Sequence, residues 1–367
     1  MSMMRQKMDL DSLVDRARLA QWLDAHVPEL GSGPLELAFL HGGTSNATIG
    51  VDRGGPLAIL RRTPLDAPPG SARSMLREAR LLGALAGTAV PHPHLYAVCE
   101  DAGVIGAPFT ITAKVEGWAG QLTATGCDYP PPFDRAPHRG EVMFAMADAI
   151  AALASVDWRA AGLEDFGRPE GFLERQVGRW RSQLASYPRE YPGWTARDLP
   201  WLEEVSAWLD ANRPPMSLPG IVHGDIGAPN CLFGHGLPTR LAAILDWELC
   251  TIGDPLLDLG LLVYSLHDER DPLRRPVSAY FDPAGMPTRQ AVARRYSERT
   301  GRDTGGLDYY MTLAQFKLAC IVEYKVARAA IGLESKEVGA IFESLVPRLL
   351  EECKAIIDLQ ASAGALA

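Results

Sequence analysis

The chain has no closely spaced cysteine pair, no long apolar run, no excess of basic charge and no internal repeat, and each absence removes a class of function. Its six cysteines, Cys99, Cys127, Cys231, Cys250, Cys320 and Cys353, are scattered without a C-x-x-C unit. A zinc site built on paired thiolates and a disulfide framework are therefore not indicated, and reduced thiols in a cytoplasm are expected. No apolar stretch approaches the ~18–20 residues that a membrane span requires, and the first residues lack the apolar core of a signal peptide. A soluble, cytoplasmic protein without a membrane partner is the expectation. Lys and Arg number 36 against 45 Asp and Glu, a formal net charge of -9. That balance argues against a nucleic-acid partner, because displacing counterions from phosphates needs a basic surface.

What is present is enough chain for two hydrophobic cores, since single cores stop growing near ~250–300 residues and this sequence has 367. Leu13, Val14, Ala17, Leu19, Ala20, Leu23 and Val27 fall at mostly helical spacing, so one helix is expected from Leu10 to Val27. Apolar stretches between Leu35 and Leu60 are broken at His41–Asn46 and Asp52–Pro56, both turn signals between strands. Met75, Ala79, Leu82 and Leu85 predict a helix over Ser71–Leu85, and Leu95–Cys99 and Phe109–Val115 read as further strands. After Gly117 a Gly-, Pro- and Thr-rich stretch over residues 119–138 leads into helical patterns at Glu141–Val156, Gly171–Ser186, Leu199–Asn212, Arg289–Thr300, Tyr309–Ala330 and Lys336–Ala361. Asn230–Phe233 and Arg240–Leu245 interrupt them as a hairpin. The reading is an α+β protein with a small antiparallel-sheet lobe over residues 1–117, a mainly helical lobe over residues 118–367, and a cleft between.

Chemistry concentrates at that hairpin. His223-Gly224-Asp225 is followed by Asn230, and Asp246 closes the second strand. Phosphoryl transfer needs a carboxylate beside the attacking hydroxyl and oxygen ligands for a Mg²⁺ that neutralises charge between phosphates. An Asp and an Asn five residues apart, with a further Asp downstream, have the spacing of a kinase catalytic loop and metal loop. A lone Asp is more often a cap or turn residue, but three together at this spacing favour chemistry. Asp246 runs within eight residues to Asp254-Pro255, which leaves no room for a peptide-binding activation segment and points to a small-molecule hydroxyl acceptor.

His223-Gly224-Asp225 with Asn230, Ile244-Leu245-Asp246-Trp247-Glu248 and Gly253-Asp254-Pro255 through Leu259 together resemble the aminoglycoside phosphotransferase family. Ser45-Asn46, Ile59-Leu60-Arg61-Arg62 and Val104–Phe109 are similar to its branch related to kinase-like domains attached to certain acyl-CoA dehydrogenases, and the resemblance spans roughly residues 35–350. It implies a bilobal protein-kinase-like fold, with ATP and Mg²⁺ as cofactors. It also implies Asp225 as the catalytic base or hydroxyl-orienting carboxylate, and Asn230 and Asp246 as metal ligands. Arg61 stands where the family uses a phosphate-contacting Lys, and Glu78 matches its helix Glu. Ile111–Val115 resembles the inter-lobe hinge, so Ala113 and Val115 are expected at the adenine, and Ser45 in a Gly-Gly turn is expected near the phosphates. Asp258 is given a supporting role beneath the catalytic loop, although a simple helix N-terminal carboxylate accounts for it equally. Arg62 stands between a solvent-facing strand arginine and a functional one.

By analogy, the acceptor is a hydroxyacyl-CoA or related hydroxy acid, with an aminoglycoside or other amino alcohol as the alternative. Two other classes stay open. One is a catalytically silent nucleotide-binding module, motivated by Arg61 in place of Lys, and the other is an interaction protein that needs neither ATP nor metal. His92 and His94 lack a third ligand and read as exposed loop, while Trp180 and Trp208 sit in helical patterns and read as core.

Overall fold

A computed structural model describes residues 10–42, 46–63, 70–123, 126–216, 218–264, 266 and 285–364. Asp15 divides the leading helix that sequence periodicity joins into one. Its carboxylate accepts the Arg18 N–H at 3.0 Å as an N-cap, so α1 (Leu10–Leu13) ends and α2 (Arg16–His26) begins anew. β1 (Glu36–Gly42), β2 (Ala47–Asp52) and β3 (Ala58–Arg62) follow, then α3 (Ser71–Leu85), β4 (Leu95–Cys99) and β5 (Phe109–Ala113). These strands form one antiparallel sheet in the order β1-β2-β3-β5-β4.

β2 and β3 alternate buried and half-buried positions, as period-2 geometry requires. Ala58, Leu60 and Arg62 therefore point one way and Ile59 and Arg61 the other. Leu19 and Leu23 of α2 share one core with Ile49, Leu60, Phe109 and Ile111 of the sheet. Arg62 is neither solvent-facing nor part of a site: it is 1% exposed. Its guanidinium donates to the carbonyls of Thr63 (2.9 Å), Ile105 (2.8 Å) and Leu13, tying α1 to the sheet.

The Gly- and Pro-rich stretch after Gly117, to which sequence reading assigned no element, contains a short antiparallel pair, β6 (Gln121–Thr123) with β7 (Gly126–Asp128). The helices α4 (His138–Ala154), α5 (Gln176–Glu190) and α6 (Leu202–Ala211) come next. β8 (Gly220–Val222), β9 (Cys231–Phe233), β10 (Leu241–Ile244) and β11 (Thr251–Gly253) precede α7 (Leu256–Val263), α8 (Arg289–Thr300), α9 (Leu307–Ala330) and α10 (Lys336–Gly364). α9 is buried over most of its circumference and packs against α5, α6, α7 and α10, which makes it the axis of the helical part. Trp180 lies in this core and Trp208 at its margin. Leu81, Leu82 and Leu85 of α3 also pack into this second core, so α3 joins the sheet to the helices.

Two strand pairings frame the loop that carries Asp225. β9 and β10 form the expected hairpin, and β8 pairs with β11 in the register Gly220↔Gly253, Ile221↔Ile252, Val222↔Thr251. The second pairing requires Gly253, because a Cβ there would meet the buried Phe172 ring at 2.5 Å. Gly253→Ala should lower stability by about 1–3 kcal/mol in urea unfolding, as overpacking does. Gly178 in α5 has open space around it, and Gly178→Ala should raise stability by up to about 1 kcal/mol. Equal stability of the two variants would contradict the packing described.

Candidate active site

Between Val222 and Asp246 the chain leaves β8, turns through Gly224 and Asp225, passes Asn230 and returns as the β9–β10 hairpin. Gly224 has φ +85°, and a Cβ there would stand 3.0 Å from the Leu249 carbonyl oxygen, so glycine suits this turn. Asp246 also has positive φ, at 61°, a conformation Asp tolerates better than most residues. The Leu245 N–H donates to the Asn230 carbonyl at 2.8 Å, which extends the hairpin pairing and sets Asn230 opposite the residue before Asp246.

Beneath the turn lies Asp258 in the first turn of α7. Its carboxylate accepts the His223 N–H at 2.6 Å and the Gly224 N–H at 2.8 Å, so it is a clamp on the loop as well as a helix N-terminal acid. Burial pushes its pKa up to about 6, against the opposing pull of the two N–H donors. His223 is buried too. The Asp225 N–H donates to its Nδ1 at 3.2 Å, which makes Nε2 the protonated nitrogen that donates to the Leu245 carbonyl at 3.0 Å. Burial lowers this imidazole to about 4, so it bridges the two halves of the site as a neutral ring, edge-on to Trp247 at 4.8 Å.

Asn230 Nδ2 donates to the Asp225 backbone carbonyl at 2.9 Å and to its Oδ2 at 3.0 Å. Both amide hydrogens are thereby engaged on Asp225, which leaves Oδ1 as the Asn230 atom able to ligate a cation. Asp225 opens to solvent, yet protein surrounds enough of its carboxylate that desolvation raises its pKa, with Lys317 opposing and Asp246 reinforcing the rise.

Sequence reading took Tyr309–Ala330 as a helix and singled out no side chain of it, Lys317 included. It lies within the apolar α9 pattern, buried, and its ammonium donates to the Gly224 carbonyl. Burial brings its pKa down to about 8 although Asp225 and Asp258 favour the charge. The signal in the sequence was a lone Lys inside the apolar run Leu313–Val322, and no local pattern tells where such a side chain points.

A cleft of about 610 Å³ opens beside Asn230 and Asp246. Arg61, Glu78, Ala113 and Val115 line it as well, whereas Asp225 stands next to its lining, bonded to Asn230. Arg61 Nη1 donates to Glu78 Oε1 at 2.5 Å, joining β3 to α3. Of the two residues expected at a hinge, Ala113 already donates its N–H to the His94 carbonyl at 2.8 Å, whereas the Val115 N–H has no partner among the described residues. Ser45 lies outside the described residues, and its neighbour Asn46 lines the cleft. His92 Nδ1 meets the Val90 carbonyl at 2.7 Å and, like His94, takes no part in the site.

Glu248, which the sequence reading quoted without a role, is a fourth acid here. Desolvation raises its pKa, and Asp246, Glu78 and Asp225 raise it further. Four carboxylates thus face one another, balanced at the cleft by Arg61 and behind the loop by Lys317. Asp246 has no hydrogen-bond donor among the described residues.

A five-stranded antiparallel sheet over a helical body, with an Asp-Asn loop, a second Asp and an Arg-Glu pair around one cleft, is the architecture of the kinase-like phosphotransferases. The family model described as the phosphotransferase enzyme family, APH, matches residues 36–297, and the chain belongs to that family. It is 30% identical over 346 residues to mouse acyl-CoA dehydrogenase family member 11, an alignment covering 92% of this chain and 42% of that protein. The chain thus spans less than half the length of this relative. The crystal structure of a provisionally assigned aminoglycoside phosphotransferase from Ralstonia eutropha superposes with a TM-score of 0.74 at 29% identity, covering 93% of this chain and 98% of that one. A thermostable variant of the aminoglycoside phosphotransferase APH(4)-Ia, in ternary complex with AMP-PNP and hygromycin B, shares the fold at a TM-score of 0.54 and 17% identity, covering 91% and 98% of the two chains.

The clamp makes a direct prediction. Asp258→Asn keeps one acceptor oxygen and turns an amide group toward the second N–H, so it should cost about 1–3 kcal/mol of stability in denaturant unfolding. Wild-type stability in that variant would contradict the paired acceptance seen here.

Proposed function

We propose that the chain transfers the γ-phosphoryl group of ATP to a hydroxyl of a small molecule. The observation that carries this reading is the meeting of Asp225, Asn230 and Asp246 at the edge of a cleft that also holds the Arg61–Glu78 pair. In this reading, residues up to about Gly117 form the lobe that covers the nucleotide and the helical remainder carries the acceptor. Val115 N–H serves the adenine edge and Ile59 packs against the base. Arg61, oriented by Glu78, contacts phosphate through its planar fork in place of the Lys familiar from related enzymes.

The residues present fit a divalent cation. Among the described residues Asp246 is a carboxylate without a donor, set among Glu78, Asp225 and Glu248, and Asn230 has its Oδ1 unused. Two oxygen ligands completed by phosphate and water are what Mg²⁺ accepts. When bound, the ion supplies positive charge between the phosphates, and Asn230 and Asp246 are the residues that would hold it. Asp225 orients the acceptor hydroxyl. As the new bond from that oxygen to the γ-phosphorus forms and the bond to the β,γ-bridging oxygen breaks, ADP departs and the hydroxyl proton passes to the Asp225 carboxylate.

The likeness to acyl-CoA dehydrogenase family member 11 supports a hydroxyacyl thioester or a hydroxy acid as acceptor. Mass spectrometry of ATP-dependent product formation across hydroxyacyl-CoA thioesters, hydroxy acids, aminoglycosides and amino alcohols tests both levels of the reading. A product one phosphoryl group heavier is expected with one of the first two classes. Asp225→Asn should reduce the rate by about a hundredfold or more, and chelation of divalent metal should abolish it. Unchanged turnover in Asp225→Asn would remove Asp225 from the chemistry. Binding of Mg²⁺–ATP without turnover of any acceptor would favour a silent nucleotide-binding module.

A further inference from the structure

Outside the lining of the cleft, basic side chains gather around the Asp225 loop, with Asp258 the buried acid next to Lys317. Lys317 Nζ, which donates to the Gly224 carbonyl, lies 5.2 Å from the centroid of a Trp180 ring. The guanidinium carbon of Arg179 lies 4.5 Å from a ring centroid of the same indole. The two cations therefore flank one side chain directly behind the loop that carries Asp225. Arg179 also feels the charges of Arg175 and Arg77.

None of the three arginines has a carboxylate within ion-pair distance among the described residues. Arg77 spends its donors on the carbonyls of Cys250 (2.7 Å) and Phe166 and stacks over the Phe166 ring at 3.7 Å. Arg175 donates to the carbonyls of Glu170 and Arg168. Of the acids nearby, Asp165 pairs with Arg80 at 2.5 Å while its charge still favours that of Arg77, and Asp258 accepts the loop N–H groups. Arg179 is the exposed member of the set, and its guanidinium has no hydrogen-bond partner among the described residues. Protein crowds it enough for desolvation to lower its pKa, and its charged neighbours, Arg175 and Arg77, add to that penalty instead of relieving it. A partly desolvated guanidinium among like charges is an arrangement that an incoming anion relieves. Neither Arg179 nor Lys317, Arg175 or Arg77 lines the cleft assigned to the nucleotide.

We propose that Arg179, backed by Lys317 and flanked by Arg175 and Arg77, binds an anionic group of the phosphoryl acceptor. The acceptor is then a hydroxyl compound that carries a carboxylate or a phosphate. This rests on the phosphotransferase reading above and narrows it, since a polycationic aminoglycoside would be repelled by the same charges. Arg179 acts as a specificity-determining contact, and Lys317, held to the loop backbone, fixes the distance between that anion and Asp225.

Isothermal titration of wild type, Arg179→Gln and Arg179→Lys with three probes tests the site: 3-hydroxybutyrate for a carboxylate, 3-hydroxybutyryl-CoA for phosphates, and kanamycin for a polycation. AMP-PNP is titrated into each protein alongside them. At least one anionic probe should bind wild type, and its affinity should fall about tenfold or more in Arg179→Gln and less in Arg179→Lys. AMP-PNP affinity should be the same in all three proteins, which also shows that the variants are folded. Which anionic probe responds decides between carboxylate and phosphate. An anionic probe that binds Arg179→Gln as tightly as wild type overturns the proposal, as does a wild type that binds kanamycin and neither anion. A wild type that binds an anion through Arg179 but no AMP-PNP keeps the anion site and overturns the phosphotransferase reading instead.

Discussion

The site depends on one buried carboxylate. Asp258 takes the two consecutive N–H groups of His223 and Gly224, and so holds a turn whose left-handed glycine would otherwise leave two backbone donors buried without partners. From that anchor the geometry propagates in both directions. The Gly224 carbonyl receives Lys317, and His223 reaches across to Leu245 beside Asp246. α7, α9 and the two short strand pairs therefore meet at a single turn, and distortion of any of them displaces the others.

Charge is divided across that turn. Glu78, Asp225, Asp246 and Glu248 converge on the cleft side with Arg61 among them, whereas Lys317, Arg179, Arg175 and Arg77 gather behind it. A like-charged cluster on either side is costly by itself, since each member pushes its neighbours toward neutrality. Together they form a gradient with Asp225 at the boundary, suited to a site where a cation and phosphates sit on one side and an anionic acceptor on the other. The net charge of -9 for the whole chain conceals this separation, because composition averages over surfaces that face in opposite directions.

Much of this was legible in the sequence. The Asp225, Asn230 and Asp246 spacing, the sheet-then-helices order and the register that turns Arg61 to the cleft all come from patterns within a few residues, where backbone geometry fixes direction. The helix boundary at Asp15 was also local, yet apolar periodicity ran across it and masked the cap. Arg62 escaped for a different reason. Alternation put it opposite Arg61, but nothing nearby in sequence tells that the opposite face is covered by α1 and the segment at Ile105, which turns a surface arginine into a buried pin.

By itself, then, the sequence determined the fold class and singled out Asp225, Asn230 and Asp246 on the loop and hairpin, because short-range spacing and strand period carry that information. Tertiary structure alone decided that Lys317 reaches Gly224 from 93 positions away, that Asp258 clamps two amides instead of only starting a helix, and that Arg179 stands beside Trp180 without a counter-ion among the described residues. Those facts are contacts between elements far apart in the chain. Whether a charge ends up paired, buried or waiting for a ligand is settled only when packing chooses its neighbours.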